Sequence, residues 1–318
     1  MAQPTPQSVH IDTALSNISI AFKNDNYVAD KVFPLVPVDK QSDFYFTFTR
    51  DFWFRNSVEP RGPGSRYAEG GLQVSSTQFQ CINKGLSFPL PWETINNQDA
   101  AIDLETDGAE WLADQFALDR EIALAAKIFD ATAWTAGTGA GDDTLAGGEQ
   151  WSDYANSDPI SDIETAREAV KKSIGRNPNI ILMGAEVWDH LKWHPDILDI
   201  YKHTEKAILT TEMVAKIFDG VDEILVGDAI VNSAAEGVAF SGGYIWPKNV
   251  LVAYITKAPS LRTPSAGYTF AWKQNGFTIP ITREEERLRK RDLLLGDHAF
   301  DQKITSALCG YEIIDAVA

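Results

Sequence analysis

Asp103–Asp130, DLETDGAEWLADQFALDREIALAAKIFD, decides the reading of this chain. It has unbroken helical character over 28 residues, a rod of about 42 Å at about 1.5 Å per residue. Trp111, Leu118, Ile122, Ala125 and Phe129 fall on one 3.6-residue stripe, which the spacing assigns to the core. Asp103, Glu105 and Asp107 sit where the positive end of the helix dipole favours carboxylates. Pro89 and Pro91 precede the helix, and Gly137 and Gly139 end it. So long a rod is either an ordinary core helix of an α+β domain or a spine that carries a sheet on one side and subunit contacts on the other.

Outward from the spine, residues 1–40 are extended and broken by Pro34 and Pro37, an arm without a core of its own. Residues 42–54 alternate Phe44, Phe46 and Phe48 against Tyr45, Thr47 and Thr49 and read as a strand; residues 72–82 read as its partner. The glycine- and proline-rich stretch between them makes a hairpin with a loose tip. A bare ribbon is marginal in water, so this one needs a surface to lie on.

Charge separates these parts. The spine carries eight Asp and Glu against two Lys and Arg, while the hairpin carries Arg50, Arg55, Arg61, Arg66 and Lys84 against Asp43, Asp51, Glu59 and Glu69, a mild asymmetry. This asymmetry suits either a hairpin crossing the acidic helix of another subunit, with Glu105, Glu110 and Asp114 as candidate acceptors, or two solvated faces that never meet. The charge run TREEERLRKRD at 282–292 adds Glu284, Glu285, Arg287 and Arg289 as candidates for contacts between subunits.

From Ser161, a capping box (Ser161 to Glu164) opens a helix with Ile163, Ala166, Val170 and Ile174 inward and a stop at Gly175. Strands at 179–183 and 221–227 alternate with short helices at 187–191 and 210–219, an α/β lobe. Further strands are expected at 243–255 and 267–282. Residues 299–318 are expected to return to the first region's sheet.

Composition bounds the function. The net charge of −17 over 318 residues excludes a basic nucleic-acid footprint. Two cysteines, Cys81 and Cys309, make no disulfide framework, and neither has a partner at metal-ligand spacing. There is no signal-peptide pattern at the start and no apolar run of about 18 residues. His190 and His194 are four apart, but Pro195 follows and no HExxH is present; GTGAG at 137–141 lacks the rest of a nucleotide-binding pattern; no GxSxG occurs. No catalytic residue, metal site or cofactor is expected.

The strings VADKVFPLVPVDKQSDFY, DLETDGAEWLADQFALDREIALAA, WSDYANSDPISDIETAREAV, ILMGAEVWDHLKWHPDIL, ILVGDAIVNSA and APSLRTPSAGYTFAW, in this order, resemble the major capsid proteins of tailed bacteriophages with the HK97-like fold. The resemblance implies an α+β fold with an N-terminal arm (1–40), an extended loop (41–91), a peripheral domain (92–160) with the spine at 103–130, an axial domain (161–282) and a return to the peripheral sheet (283–318). It implies a virion protein, assembled in the host cytoplasm into pentamers and hexamers of an icosahedral shell. That shell encloses double-stranded DNA without sequence-specific binding and contacts no membrane. Expected partners are a portal protein at one vertex, a separate scaffolding protein rather than a fused one, and in some shells a decoration protein. Some relatives are welded together through a loop lysine. Here no lysine lies between Lys40 and Lys84, so no such weld is expected from the hairpin. An encapsulin-like compartment shell and a soluble α+β enzyme with a site in the lobe are the alternatives.

Overall fold

The computed structural model describes residues 24, 26–48, 50–71, 73–97, 103–130, 132–135, 142–201, 209–258, 263–273 and 279–318. The start of the expected arm, the glycines at 137 and 139 and residues 274–278 of the expected 267–282 strand lie outside them. The elements run α1 Ala29–Val32, β1 Leu35–Val38, β2 Ser42–Phe48, α2 Arg50–Trp53, β3 Val74–Gln80, β4 Ile82–Pro91, α3 Trp92–Asn96, α4 Leu104–Ile128, β5 Asp142–Thr144, α5 Pro159–Ile174, β6 Ile180–Gly184, α6 Ala185–Leu191, α7 Pro195–Tyr201, α8 Thr211–Ala215, β7 Glu223–Gly227, β8 Ile230–Asn232, β9 Gly242–Tyr244, β10 Val250–Ala253, β11 Gly267–Trp272, β12 Ile281–Glu286, β13 Arg291–Ile304 and β14 Gly310–Ile314.

Two five-stranded sheets organise this mixed α+β fold. In the first, the order is β1-β11-β13-β12, with β4 also paired to β13. β13 is the 14-residue centre, antiparallel to β4 from Arg291↔Pro91 to Phe300↔Ile82. The second runs β5-β14-β10-β6-β7; its inner strands β6 and β10 are buried at every position, as strands covered on both faces must be.

The spine is α4. Asp103 caps it, accepting from the amides of Glu105 and Thr106. The buried face differs from the expected stripe. Leu112, Phe116, Leu124, Ala125 and Ile128 face the core, while Trp111 is 43% and Ile122 39% exposed. Close approach decides this. A Cβ on Gly108 would lie 2.6 Å from the Phe88 ring, and one on Gly296 of β13 would lie 2.5 Å from the Phe116 ring. The helix therefore settles onto β4 and β13 where glycine admits it. Leu112 and Phe116 pack with Leu90 and Leu294; Leu124 and Ile128 join Val28, Val32, Phe33, Trp246 and Leu251.

Other departures are local. Residues 50–53, expected within a strand, form α2. The α5 cap is Asp158, which accepts from the Ser161 amide, with Pro159 at the first helical position, three residues before the expected capping box. Ile163, Ala166 and Val170 are buried as expected, and Gly175 closes the helix at φ 71°. Pro195 opens α7 rather than ending a segment. Residues 299–318 divide: β13 lies in the first sheet as expected, but β14 pairs with β10 and β5 in the second. β11, expected with the lobe, pairs with β13 in the first sheet, and β12 joins β13 there as well.

Candidate assembly interface

β2 and β3 pair antiparallel from Ser42↔Gln80 to Phe48↔Val74. Strand alternation gives this ribbon two unlike faces. Tyr45 and Phe79 turn inward onto Phe270, with ring centroids 5.6 and 4.5 Å away. Phe44, Phe46 and Val74 turn outward, 59%, 63% and 48% exposed. An apolar face of this kind, on a two-stranded ribbon, is covered by none of the described residues and has the character of an interaction surface.

The loop beyond the ribbon rests on the second sheet's helix. Arg50 donates to the Ser173 carbonyl at 3.5 Å, and the Phe54 ring lies 3.4 Å from where a Gly175 Cβ would be. At the tip, the Arg61 guanidinium stacks on Tyr67 at 4.2 Å. Arg55 and Arg66 are exposed. Within one chain none of the four arginines meets the acidic spine.

The acidic candidates have different surroundings. Glu105 pairs with Arg283 at 2.9 Å, and Arg283 also pairs with Asp292, which accepts from the Trp92 indole at 3.0 Å. Arg283 and the Trp92 indole hold the Asp292 carboxyl below its ordinary range. Asp114 accepts from the Tyr27 hydroxyl at 3.0 Å, whereas Glu110 is exposed. Glu284, Glu285, Arg287 and Arg289 lie on the β12–β13 hairpin. Arg287 pairs with Glu285 at 3.2 Å and Arg289 with Glu286 at 3.3 Å, leaving Leu288 between them 99% exposed at the turn.

A second arrangement holds the arm. Glu121, on the buried face of α4, is fully buried and accepts from the amides of Val28 at 3.0 Å and Ala29 at 2.9 Å and from the Trp246 indole at 2.7 Å. Burial pushes its carboxyl up, and these three donors pull it back. Arg120 beside it pairs with Asp30 at 3.0 Å. One spine position thus ties together the arm, the spine and the loop before β10. The sequence reading missed Glu121. Its only signal is its spacing from Leu124 and Ile128, which becomes legible once the buried stripe is known.

Among the described residues the lobe holds one constellation with a catalytic outline. Ser157 Oγ lies 3.1 Å from His194 Nε2, and His194 Nδ1 lies 3.5 Å from the Asp196 carboxylate. The hydrogen bonds run the wrong way for a nucleophile. The Ser157 hydroxyl donates to the Asp153 carbonyl at 2.8 Å, and His194 Nδ1 accepts from the Asp196 amide at 3.3 Å. His194 must then carry its proton on Nε2, facing Ser157, and cannot accept the serine proton. Burial also holds His194 below its ordinary pKa, and its ring is wholly buried. The group is a structural clasp. His190 takes no part in it; its Nδ1 faces the Tyr154 hydroxyl at 3.2 Å. Among the described residues no three metal-ligand side chains converge, and no described helix is long and apolar enough to cross a membrane.

A family model described as phage major capsid protein E matches residues 137–266. The chain is 27% identical over 308 residues to the major capsid protein of Burkholderia phage BcepMu, covering 95% of each. Its structure is similar to that of a phage-related protein from Bordetella bronchiseptica RB50, with a TM-score of 0.72, 25% identity and coverage of 93% and 94%. It also superposes on a subunit of the mature capsid of bacteriophage PhiM1, with a TM-score of 0.62 and 12% identity, covering 96% and 92%.

Proposed function

We infer that this chain, which has the HK97-like fold, is a major capsid protein of a tailed bacteriophage and a component of its virion. It is a structural protein that associates with copies of itself into a shell. The observation that carries this reading is the outward Phe44–Phe46–Val74 face, on a ribbon that projects from a fold shared with capsid subunits over nearly the whole chain. Such a face is costly alone and stable when another subunit covers it.

On this reading the subunits close into pentamers and hexamers through head-to-tail contacts, with the lobe of α5 to β10 toward the axes. The ribbon and loop cross a neighbour, and Arg55, Arg61 and Arg66 face acidic groups there. Glu110 is the spine acceptor best placed for this, since it is exposed while Glu105 and Asp114 have partners in their own chain. Glu284, Glu285, Arg287 and Arg289 make a second contact at the β12–β13 turn. Double-stranded DNA fills the shell. A chain of net charge −17 lets that DNA slide rather than holding it by many phosphate contacts. Scaffolding and portal proteins are further partners, and the shell carries no catalysis. The hydrogen bonds around Ser157 and His194, which run the wrong way for a nucleophile, support this last point for the triad-like group among the described residues.

Electron microscopy of the purified chain tests the reading. Closed shells or rings are expected; small, uniform, single-subunit particles at all concentrations would overturn it.

A further inference from the structure

β4 is an edge strand: among the described residues its one strand partner is β13. In such a strand alternate residues bond inward, and the others turn their N–H and C=O groups outward. Both ends fix the phase. The Trp92 amide donates to the Lys290 carbonyl at 3.0 Å, so even-numbered positions bond to β13. The Cys81 amide donates to the Gln41 carbonyl at 2.8 Å, on the other side, so odd-numbered positions face away. Pro89 and Pro91, which have no N–H to give, occupy outward positions.

The outward edge is therefore closed by Gln41 at one end and by prolines at the other, and open at Asn83, Gly85 and Ser87. A bare edge invites another strand, and natural sheets blunt it; this one is blunted over only part of its length. The open part is also apolar. Every residue from 82 to 87 is exposed, Ile82 at 64% and Leu86 at 37%. Even-numbered side chains face the spine: the Phe88 ring lies 5.7 Å from that of Trp111, and Lys84 pairs with Asp119 at 2.7 Å. Leu86 lies between these contacts and Ile82 beyond them. The exposed flank of α4, with Trp111 and Ile122, thus walls a groove along the open edge.

We propose that β2 of a second copy of the chain adds to β4 at residues 83–87, laying its Phe44 and Phe46 against Ile82, Leu86 and Trp111. The proposal rests on the reading of the chain as a shell subunit and names where the neighbour's ribbon sits. β2 has seven residues, about 24 Å of strand, against about 17 Å for the open edge. It is paired on one side only, and both phenylalanines share one exposed face. Charge favours it over β12, the other long edge of the first sheet. Glu284, Glu285 and Glu286 of β12 would meet Asp107 and Glu110, exposed on the groove wall, with like charge, whereas β2 leads into Arg50 and Arg55. Backbone pairing supplies the hold and the phenylalanines the register, and two faces bare in each chain cover one another head to tail.

Two readouts on the full-length chain test this. Ser87→Pro extends the native proline guard by one outward position; it is expected to leave subunit melting unchanged and to remove particles from micrographs. Leu86→Pro takes away an amide given to β13 and is expected to lower the melting temperature. Separately, proteins with Phe44→Cys or Phe46→Cys are mixed with proteins carrying Ile82→Cys or Leu86→Cys. At least one pairing is expected to give a disulfide between unlike chains under mild oxidation. The native Cys81 and Cys309 are buried and their thiols are pushed up to about 11, so they contribute little background. Normal particles from Ser87→Pro would overturn the proposal, as would a Ser87→Pro chain that melts as low as Leu86→Pro. Disulfides only between like chains, or none, would do the same. Unlike-chain disulfides from a parent that never closes into particles would keep this contact and sink the shell reading; closed particles without those disulfides would keep the shell reading and sink the contact.

Discussion

His298 gives the sharpest quantitative test of how the spine is seated. It lies on β13 beneath α4, fully buried, stacked on Phe300 at 4.5 Å and edge-on to Phe116 at 5.7 Å. Neither ring nitrogen has a described hydrogen-bond partner. Burial, then the charges of Arg120 and Lys84, push its pKa down to about 3 from 6.5. The folded chain thus holds a neutral imidazole, while the unfolded chain takes up a proton below about pH 6.5. The unfolded state binds more protons between these values, so stability is complete above about pH 6.5 and is lost as pH falls toward 3. At about 1.4 kcal/mol per pH unit, the loss is about 2 kcal/mol by pH 5 and about 5 kcal/mol at its limit. His298→Leu fills the same space without a titrating group and without two unpartnered nitrogens. It should be more stable than the parent at pH 7.5 by about 1 kcal/mol, and its margin should widen by about 2 kcal/mol at pH 5. Guanidinium unfolding of both proteins from pH 4.5 to 8 measures this. Glu121 and Asp162, whose carboxyls burial raises, change with pH in the opposite sense but are common to both proteins. They therefore cancel in the difference. Parallel stability curves would refute the reasoning.

Glu121→Ala should cost about 3 kcal/mol, since it leaves two amides and an indole N–H buried without an acceptor, and chymotrypsin should then cut near Phe33 faster; thermal melts and limited proteolysis check both. Phe44→Ser with Phe46→Ser should leave subunit unfolding within about 0.5 kcal/mol of the parent while abolishing shells in micrographs, because both rings face outward. Replacing Arg55, Arg61 and Arg66 by Ala should slow assembly most at low salt and leave subunit melting unchanged. Adding Arg50→Ala should lower the melting point slightly, because Arg50 alone of the four reaches its own chain's α5. Gly296→Ala should cost about 1–3 kcal/mol by pushing Phe116 off the sheet, read as a fall in melting temperature.

Local rules made much of this chain legible. The spine's extent and its Asp103 cap, the α5 stripe ending at Gly175, and the alternation of β2 follow from periodicity, dipole and turn chemistry, which act within a few residues. The family-like strings anticipated the fold, while the contact candidates remained unordered. Nothing local distinguishes Glu105, which Arg283 claims from 178 positions away, from Glu110, which stays exposed.

The amino-acid sequence alone determined that a long helix forms and that it carries apolar residues on more than one side. Only the tertiary structure decided which side is core. Trp111, Leu118 and Ile122 satisfy a helical period as well as Leu112, Phe116 and Leu124 do, and the period is blind to what stands opposite. The selection came from Gly108 and Gly296, which let the Phe88 and Phe116 rings close the gap. The same rotation carried Glu121 inward to the arm's amides, because burial of a carboxylate requires donors that distant segments bring.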